Sequence, residues 1–380
     1  MPGRDDGGLG GPVVRPPMFS HAIGDLLAPL LGTLERVEWV QRHLHPALAA
    51  QLAAELAPRT DLVAQPLDAL TNAACPDGLR SMRERFLAVG RRTLDLIAAF
   101  VEASRSPRDP IELYRALRPF AALQEALYPL APMFEPVSRF FLEPARRDDH
   151  ELVARLQAGT LRDDGPKVGV RHGANERDAL GGFSLYVPET WDGAMALPLV
   201  VALHGGSGHG RDFLWTWLRD ARSRGVLLLS PTASGRTWSL MGGENVDAPA
   251  LREMVDFVKG NYPVDGARVL LTGMSDGATY TFLYGLNEDT PFTHLAPACG
   301  ILHPVPLAHG LVHAHDRPIY LVHGALDWMF PVQSARMGRD ALVAAGAQVV
   351  YRELPDLSHT YPRDENPRIL DWFLEDTTTG

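Results

Sequence analysis

The stretch LLTGMSDGATY, residues 270–280, leaves an apolar run and at once sets a serine, Ser275, between two glycines, Gly273 and Gly277. Two readings compete: an ordinary loop serine, or a nucleophile held on a strained turn. The flanks favour the second, because ARVLLTG (267–273) reads as a strand and ATYTFLYGL (278–286) as a helix. In a strand–turn–helix built on G-x-S-x-G, the turn is so tight that the residues two before and two after the serine must be small. Gly273 and Gly277 meet that demand. A serine hydroxyl is a poor nucleophile at neutral pH, however; it needs a base, and the base needs an orienting acid.

Both occur downstream, each just past a predicted strand. PIYLVHGALDWMFP (318–331) places Asp327 there, and VVYRELPDLSHTYP (349–362) places His359 in a later loop. Alone, Asp327 reads as a helix cap or turn residue and His359 as an exposed loop histidine. Together, in the order serine, acid, histidine, they read as a catalytic set. A fourth part is an anion site. LPLVVALHGGSGHG (197–210) runs from an apolar strand into a glycine turn, and backbone N–H groups there can stabilise the oxyanion of a tetrahedral intermediate. The expected donors are the N–H of Gly206 and that of Asp276, with His204 and Gly205 supporting the turn. A phosphate loop is the other reading of this turn. It fails because no lysine follows the glycines as G-x-x-x-x-G-K-[ST] requires.

Outward from these motifs, the second half of the chain alternates strands and helices. GGFSLYVPE (181–189), LPLVVALHG, VLLLSP (226–231), RVLLTG and PIYLVHG read as strands; FLWTWLRDARSRG (213–225) and LREMVDFVKGNY (251–262) read as helices. That grammar predicts an α/β fold: a mostly parallel central sheet with helices on both faces and its site at the carboxyl ends of the strands. The first half is different. In SMRERFLAVGRRTLDLIAAFVEA (81–103) the residues Phe86, Val89, Leu94, Ile97 and Val101 recur at helical spacing, and DPIELYRALRPF (109–120) opens with a cap residue followed by proline. The expected organisation is a disordered tail over 1–18, an all-helical N-terminal domain over 19–160, a polar linker, LRDDGPK (161–167), and an α/β domain over 168–380.

Bulk properties exclude some classes. The net charge of −10 argues against a nucleic-acid surface, which needs clustered Lys and Arg. The two cysteines, Cys75 and Cys299, form neither a disulfide framework nor a thiolate metal site. The first residues lack the basic start and apolar run of a signal peptide, and no stretch approaches the roughly 18 apolar residues of a transmembrane segment. A cytoplasmic protein is the expectation. His43 and His45, and the group His303, His309, His313 and His315, are read as surface or packing residues rather than metal ligands, since no carboxylate cluster accompanies them.

The motifs HGGSG, GMSDG, HGALDWMFP and the final Ser-His pair resemble the α/β-hydrolase superfamily, in its phospholipase/carboxylesterase and polyhydroxybutyrate-depolymerase-like branch. The resemblance covers roughly residues 168–376 and leaves the helical half unmatched. It implies Ser275 as nucleophile, Asp327 as acid, His359 as base and the HGG turn as oxyanion hole. It further implies a serine ester hydrolase working through an acyl-enzyme, without metal or organic cofactor, on short- to medium-chain esters or polyester fragments. A thioesterase or lysophospholipase would use the same parts, and an interaction protein with a vestigial hydrolase domain would keep their shape. Trp238 and Trp328 are candidates for an apolar substrate pocket. No helical insertion is visible in the usual cap position, so the N-terminal half is expected to cover the active edge. The competing role is an interaction module, for dimerisation or homo-oligomerisation of the chain or for docking a partner.

Overall fold

The strands form because their side chains sort onto two apolar faces. In β3 (Leu197–Leu203), Val200 and Ala202 join one core while Leu199, Val201 and Leu203 join the other. The same alternation splits β4 (Leu227–Pro231) and β5 (Val264–Met274), where Leu228 and Leu270 face one way and Leu227, Leu229, Val269 and Leu271 the other. Strands apolar on both faces belong inside a parallel sheet covered by helices.

A computed structural model gives the architecture and describes residues 18–105, 109–160 and 167–375. The expected tail, apart from Met18, and residues 161–166 of the expected linker lie outside the described residues. The remaining strands are β1 (Gly169–Gly173), β2 (Phe183–Val187), β6 (His294–Ala298), β7 (Pro318–Gly324) and β8 (Gln348–Leu354). The sheet order is β1-β2-β4-β3-β5-β6-β7-β8. Pairs β1/β2 and β2/β4 are antiparallel and the other five parallel. This is the α/β-hydrolase fold. The chain runs from β3 outward to β4 and then returns to place β5 on the other side of β3. That reversal is a topological switch point, where a crevice opens at the strand ends.

Two of the strands lack the sequence pattern of a strand. In β6, Pro297 stands inside a strand paired on both sides, where proline removes a ladder donor and argues against a strand assignment. In β1, the sequence GVRHG carries no apolar alternation.

Among the described residues eight α-helices precede the sheet: α1 (Phe19–Arg42), α2 (Ala49–Leu56), α3 (Arg59–Asn72), α4 (Arg80–Arg105), α5 (Pro110–Leu117), α6 (Phe120–Leu127), α7 (Glu135–Phe140) and α8 (His150–Thr160). Five more interleave the strands, α9 (Gly210–Arg224), α10 (Asp247–Asn261), α11 (Asp276–Gly285), α12 (Pro304–Ala308) and α13 (Val332–Ala344), and α14 (Asn366–Leu374) follows the last of them. Asp109 caps α5 by accepting from the Ile111 N–H at 2.9 Å, with Pro110 in the first turn. Among the described residues no helix is long and apolar enough to cross a membrane.

Most of the helical region's core is shared. Leu142, Leu152, Val153 and Leu156 form a small cluster within it, but its other buried residues, among them Leu26, Leu30, Phe86 and Phe120, form one continuous cluster with Trp215, Trp217 and Leu218 of α9 and Val200 of β3. Helix α9 therefore lies between the sheet and the helical region and is buried almost all round. A charged knot closes the same interface. Glu189 accepts from Arg222 Nε at 2.9 Å and from the hydroxyls of Tyr128 and Tyr186 at 2.5 Å each. Arg222 also donates to the Ser138 carbonyl at 2.8 Å. A buried ion pair is tolerable when its remaining donors and acceptors are satisfied in this way.

Asp220, in the same helix, is less well compensated. Asn366 Nδ2 donates to it at 3.1 Å, yet burial pushes its carboxyl up to about 7. Between its ordinary value of 3.8 and about 7 the folded chain holds a proton that the unfolded chain has lost, so this group makes stability fall as pH rises. Asp220→Asn keeps the shape and removes the titration. Its gain in melting temperature should grow from about pH 4 to about pH 7 and then level off. Thermal melts at three pH values check this; an equal gain at all of them would contradict it.

Candidate functional site

The site is assembled at the carboxyl ends of β3, β5, β7 and β8. Ser275 sits between β5 and α11 with φ 56° and ψ −118°, a left-handed conformation that a residue with a side chain adopts only when its surroundings force it. The forcing is visible in the two glycines. A Cβ on Gly273 would lie 2.5 Å from the Gly277 carbonyl, and one on Gly277 would lie 2.5 Å from the carbonyl oxygens of Leu203 and His204. Backbone from β3 thus presses against the turn, and the Ser275 N–H is fixed by the Ala298 carbonyl at 3.1 Å.

Three sequence-predicted residues come together here. His359 Nε2 lies 3.0 Å from Ser275 Oγ, and His359 Nδ1 lies 2.9 and 3.1 Å from the two carboxylate oxygens of Asp327. Asp327 is itself oriented, since its Oδ1 accepts from the N–H groups of Met329 (3.0 Å) and Phe330 (2.8 Å). The Phe330 ring stands edge-on to the imidazole, with centroids 5.3 Å apart. Ser275, Asp327 and His359 are 7%, 6% and 5% exposed, so little water reaches the chain of hydrogen bonds. Electrostatic interactions are stronger in such a setting than at an open surface.

The glycine turn after β3 is locked by His204. Its Nε2 accepts from the Ala233 N–H at 3.0 Å, which leaves Nδ1 to donate to the Gly205 carbonyl at 2.7 Å. Burial pushes this imidazole down to about 4, so it stays neutral in the tautomer the two bonds require. Neither the Gly206 N–H nor the Asp276 N–H finds an acceptor among the described residues. A Cβ on Gly205 would be 3.4 Å from Ser275 Cβ, so the turn and the serine are neighbours. The Asp276 carboxylate accepts from Thr237 Oγ1 at 2.6 Å and is a partner of that hydroxyl.

The two tryptophans part company. Trp328 is partly exposed beside Asp327 and donates through Nε1 to the Tyr114 hydroxyl at 3.2 Å. Trp238 is only 2% exposed; it donates to the His204 carbonyl at 2.7 Å and stacks on Tyr280, so it supports the turn from beneath and does not line an open pocket. His303 caps α12 and reaches the Leu240 carbonyl at 2.9 Å, and His45 caps a short turn over Pro46–Leu48. Among the described residues no group of three or more His, Cys, Asp or Glu is placed to hold a metal ion. The sequence points to the helical half as a cover for the active edge but not to the residues by which it touches the site: Tyr114 on α5, and Arg118, whose guanidinium donates to the Ser207 carbonyl of the glycine turn. Neither residue lies in a recognisable motif.

No protein-family model matches the chain, and no curated protein does. Solved structures resemble it. One is a thermostable esterase, 21% identical at a TM-score of 0.45, over 54% of this chain and 61% of that one; this chain thus spans less than two thirds of it. Another is the substrate-bound fluorophosphonate-binding serine hydrolase F of Staphylococcus aureus, 14% identical at 0.46, over 55% of this chain and 98% of that one. A third is a butyrate-bound thermophilic esterase from Thermogutta terrifontis, 14% identical at 0.44, over 54% and 93%. At these identities and scores, what the chain does has to be read from its own side chains.

The glycine packing makes a direct forecast. Gly277→Ala should destabilise the protein by about 1–3 kcal/mol, because a backbone carbonyl cannot yield as a side chain can. Gly266→Ala, where a Cβ meets nothing within 4 Å, should be neutral or slightly stabilising. Denaturant titration of both variants checks the contrast.

Proposed function

We propose that the chain is a serine ester hydrolase that works through an acyl-enzyme. The observation that carries the proposal is the hydrogen-bonded line Ser275 Oγ–His359–Asp327, at 3.0 and 2.9 Å, ending on a serine held at φ 56°. A structural histidine does not require a strained serine at the other end of its ring.

The steps follow from the donors and acceptors. His359 Nε2 takes the Ser275 hydroxyl proton as Oγ attacks the ester carbonyl carbon. Asp327 keeps Nδ1 protonated and offsets the imidazolium charge that develops. The carbonyl oxygen becomes an oxyanion, for which the unpaired N–H groups of Gly206 and Asp276 are the available donors. His359 then returns the proton to the departing alcohol. Water, deprotonated by the same nitrogen, hydrolyses the acyl-serine and frees the acid. Trp328, with exposed Leu326 and Met329 beside it, supplies apolar surface next to the acid loop, which suits an acyl or alcohol group of carboxylic esters.

The wild type should hydrolyse members of a p-nitrophenyl ester series from acetate to palmitate and should be labelled on Ser275 by a fluorophosphonate. Ser275→Ala should lose both, with kcat lower by about a millionfold or down to background. A folded wild type with neither turnover nor label would overturn the assignment.

A further inference from the structure

Three loops carry the parts of the site, and a side chain of the helical region holds each of them. The base loop, 355–365, is gripped by the end of α1. Arg42 Nε donates to Asp364 at 2.6 Å and Arg42 Nη2 to Asp356 at 3.1 Å. These two aspartates bracket His359. Between them Thr360 Oγ1 donates to the Arg42 carbonyl at 3.1 Å. One turn earlier in α1, Glu38 pairs with Arg363 at 3.6 Å, and beside Arg42 the Gln41 Oε1 accepts from Arg363 Nη2 at 3.4 Å. The acid loop is reached through Trp328, whose Nε1 donates to the Tyr114 hydroxyl at 3.2 Å. The glycine turn is reached through Arg118, which donates to the Ser207 carbonyl. Tyr114 and Arg118 are four residues apart at the end of α5, and hence on one side of it.

We propose that the helical region is a fixed part of the catalytic apparatus, with Arg42 a positioning residue for His359, and Tyr114 and Arg118 positioning residues for the acid loop and the glycine turn. The inference rests on the assignment of His359 as base and Asp327 as acid. The base loop lies beyond β8 and is not part of the sheet ladder, yet the imidazole must stay within hydrogen-bond reach of both Ser275 and Asp327. A guanidinium fork between two carboxylates supplies the missing restraint, because its donors are coplanar and fixed in direction. The region is not a lid. Its other contacts include the buried Glu189–Arg222 knot and the core shared with α9, which an opening motion would expose to water.

Arg42→Ala is a clean test because Asp356 and Asp364 are 56% and 53% exposed, so neither is left as a buried unpaired charge. On p-nitrophenyl butyrate, kcat should fall by about tenfold to a hundredfold, as expected for a displaced catalytic group. KM should stay within about twofold, because substrate binding is not what Arg42 serves. Arg42→Lys should recover part of the loss. Arg36→Ala removes a surface ion pair of the same helix and should change neither constant. The low-field proton resonance of His359 Nδ1 should broaden or vanish in Arg42→Ala and persist in Arg42→Lys. Wild-type kcat and an unchanged resonance in Arg42→Ala would overturn the inference. Should Arg42→Ala fail to fold, Tyr114→Phe, which removes one oxygen, decides instead: a lower kcat at constant KM supports positioning and an unchanged kcat refutes it. Should the wild type turn over no ester, the function proposed above fails, while the resonance still decides whether Arg42 holds the imidazole.

Discussion

Helix α9 is buried from both sides, and much of the molecule follows from that constraint. A helix of a two-layer α/β sheet normally turns a polar face to water. Here Trp215 and Trp217 are both buried, and even Arg219, Asp220 and Arg222 are enclosed. Enclosing them requires a further layer outside the helices of that face, which α1 to α8 provide. It also requires partners for the charges, and these come from that layer: Glu38 for Arg219 at 2.6 Å, and Ser138 and Tyr128 for the Arg222–Glu189 pair. The helical region and the sheet are thus one hydrophobic unit, although the sequence changes character sharply between them.

The site draws on that rigidity. Ser275 stands in a conformation of the kind that costs about 1–3 kcal/mol, and it persists only where neighbours over-determine it. They do so at short range, through backbone of β3 pressed on Gly277 and the Ala298 carbonyl on the Ser275 N–H. The neutral tautomer of His204 fixes the adjoining turn, and the N–H groups of Met329 and Phe330 fix Asp327. Ser275, the glycine turn and Asp327 are each held by a neighbour outside the Ser275–His359–Asp327 line.

Legibility in the sequence followed range. Ser275 with its flanking strand and helix, the apolar strands and the capped start of α5 are local signals, and they could be read from a few adjacent residues. Asp327 and His359 could be named because each follows a strand and their order is restrictive. β6 escaped because Pro297 interrupts a pattern that tertiary pairing on both sides nonetheless stabilises. Trp238 looked like a pocket residue since its place in the fold was legible and its orientation was not. Arg42, Tyr114 and Arg118 gave no signal at all, because their partners lie in other elements and no spacing within α1 or α5 encodes them.

The grip of α1 on the base loop joins groups 318 residues apart, as measured by the Thr360–Arg42 bond. Closing so long a loop is entropically unfavourable and becomes worthwhile only after most of the intervening structure exists. Prior formation of strands β3 to β8 and the helices between them shortens that loop and favours the meeting of Arg42 with Asp356 and Asp364. The Ser275 turn depends only on neighbouring strands and can mature earlier. Chains that are incompletely folded would then possess a shaped serine without an aligned imidazole, and the Ser275–His359–Asp327 line would close with the last long-range contacts.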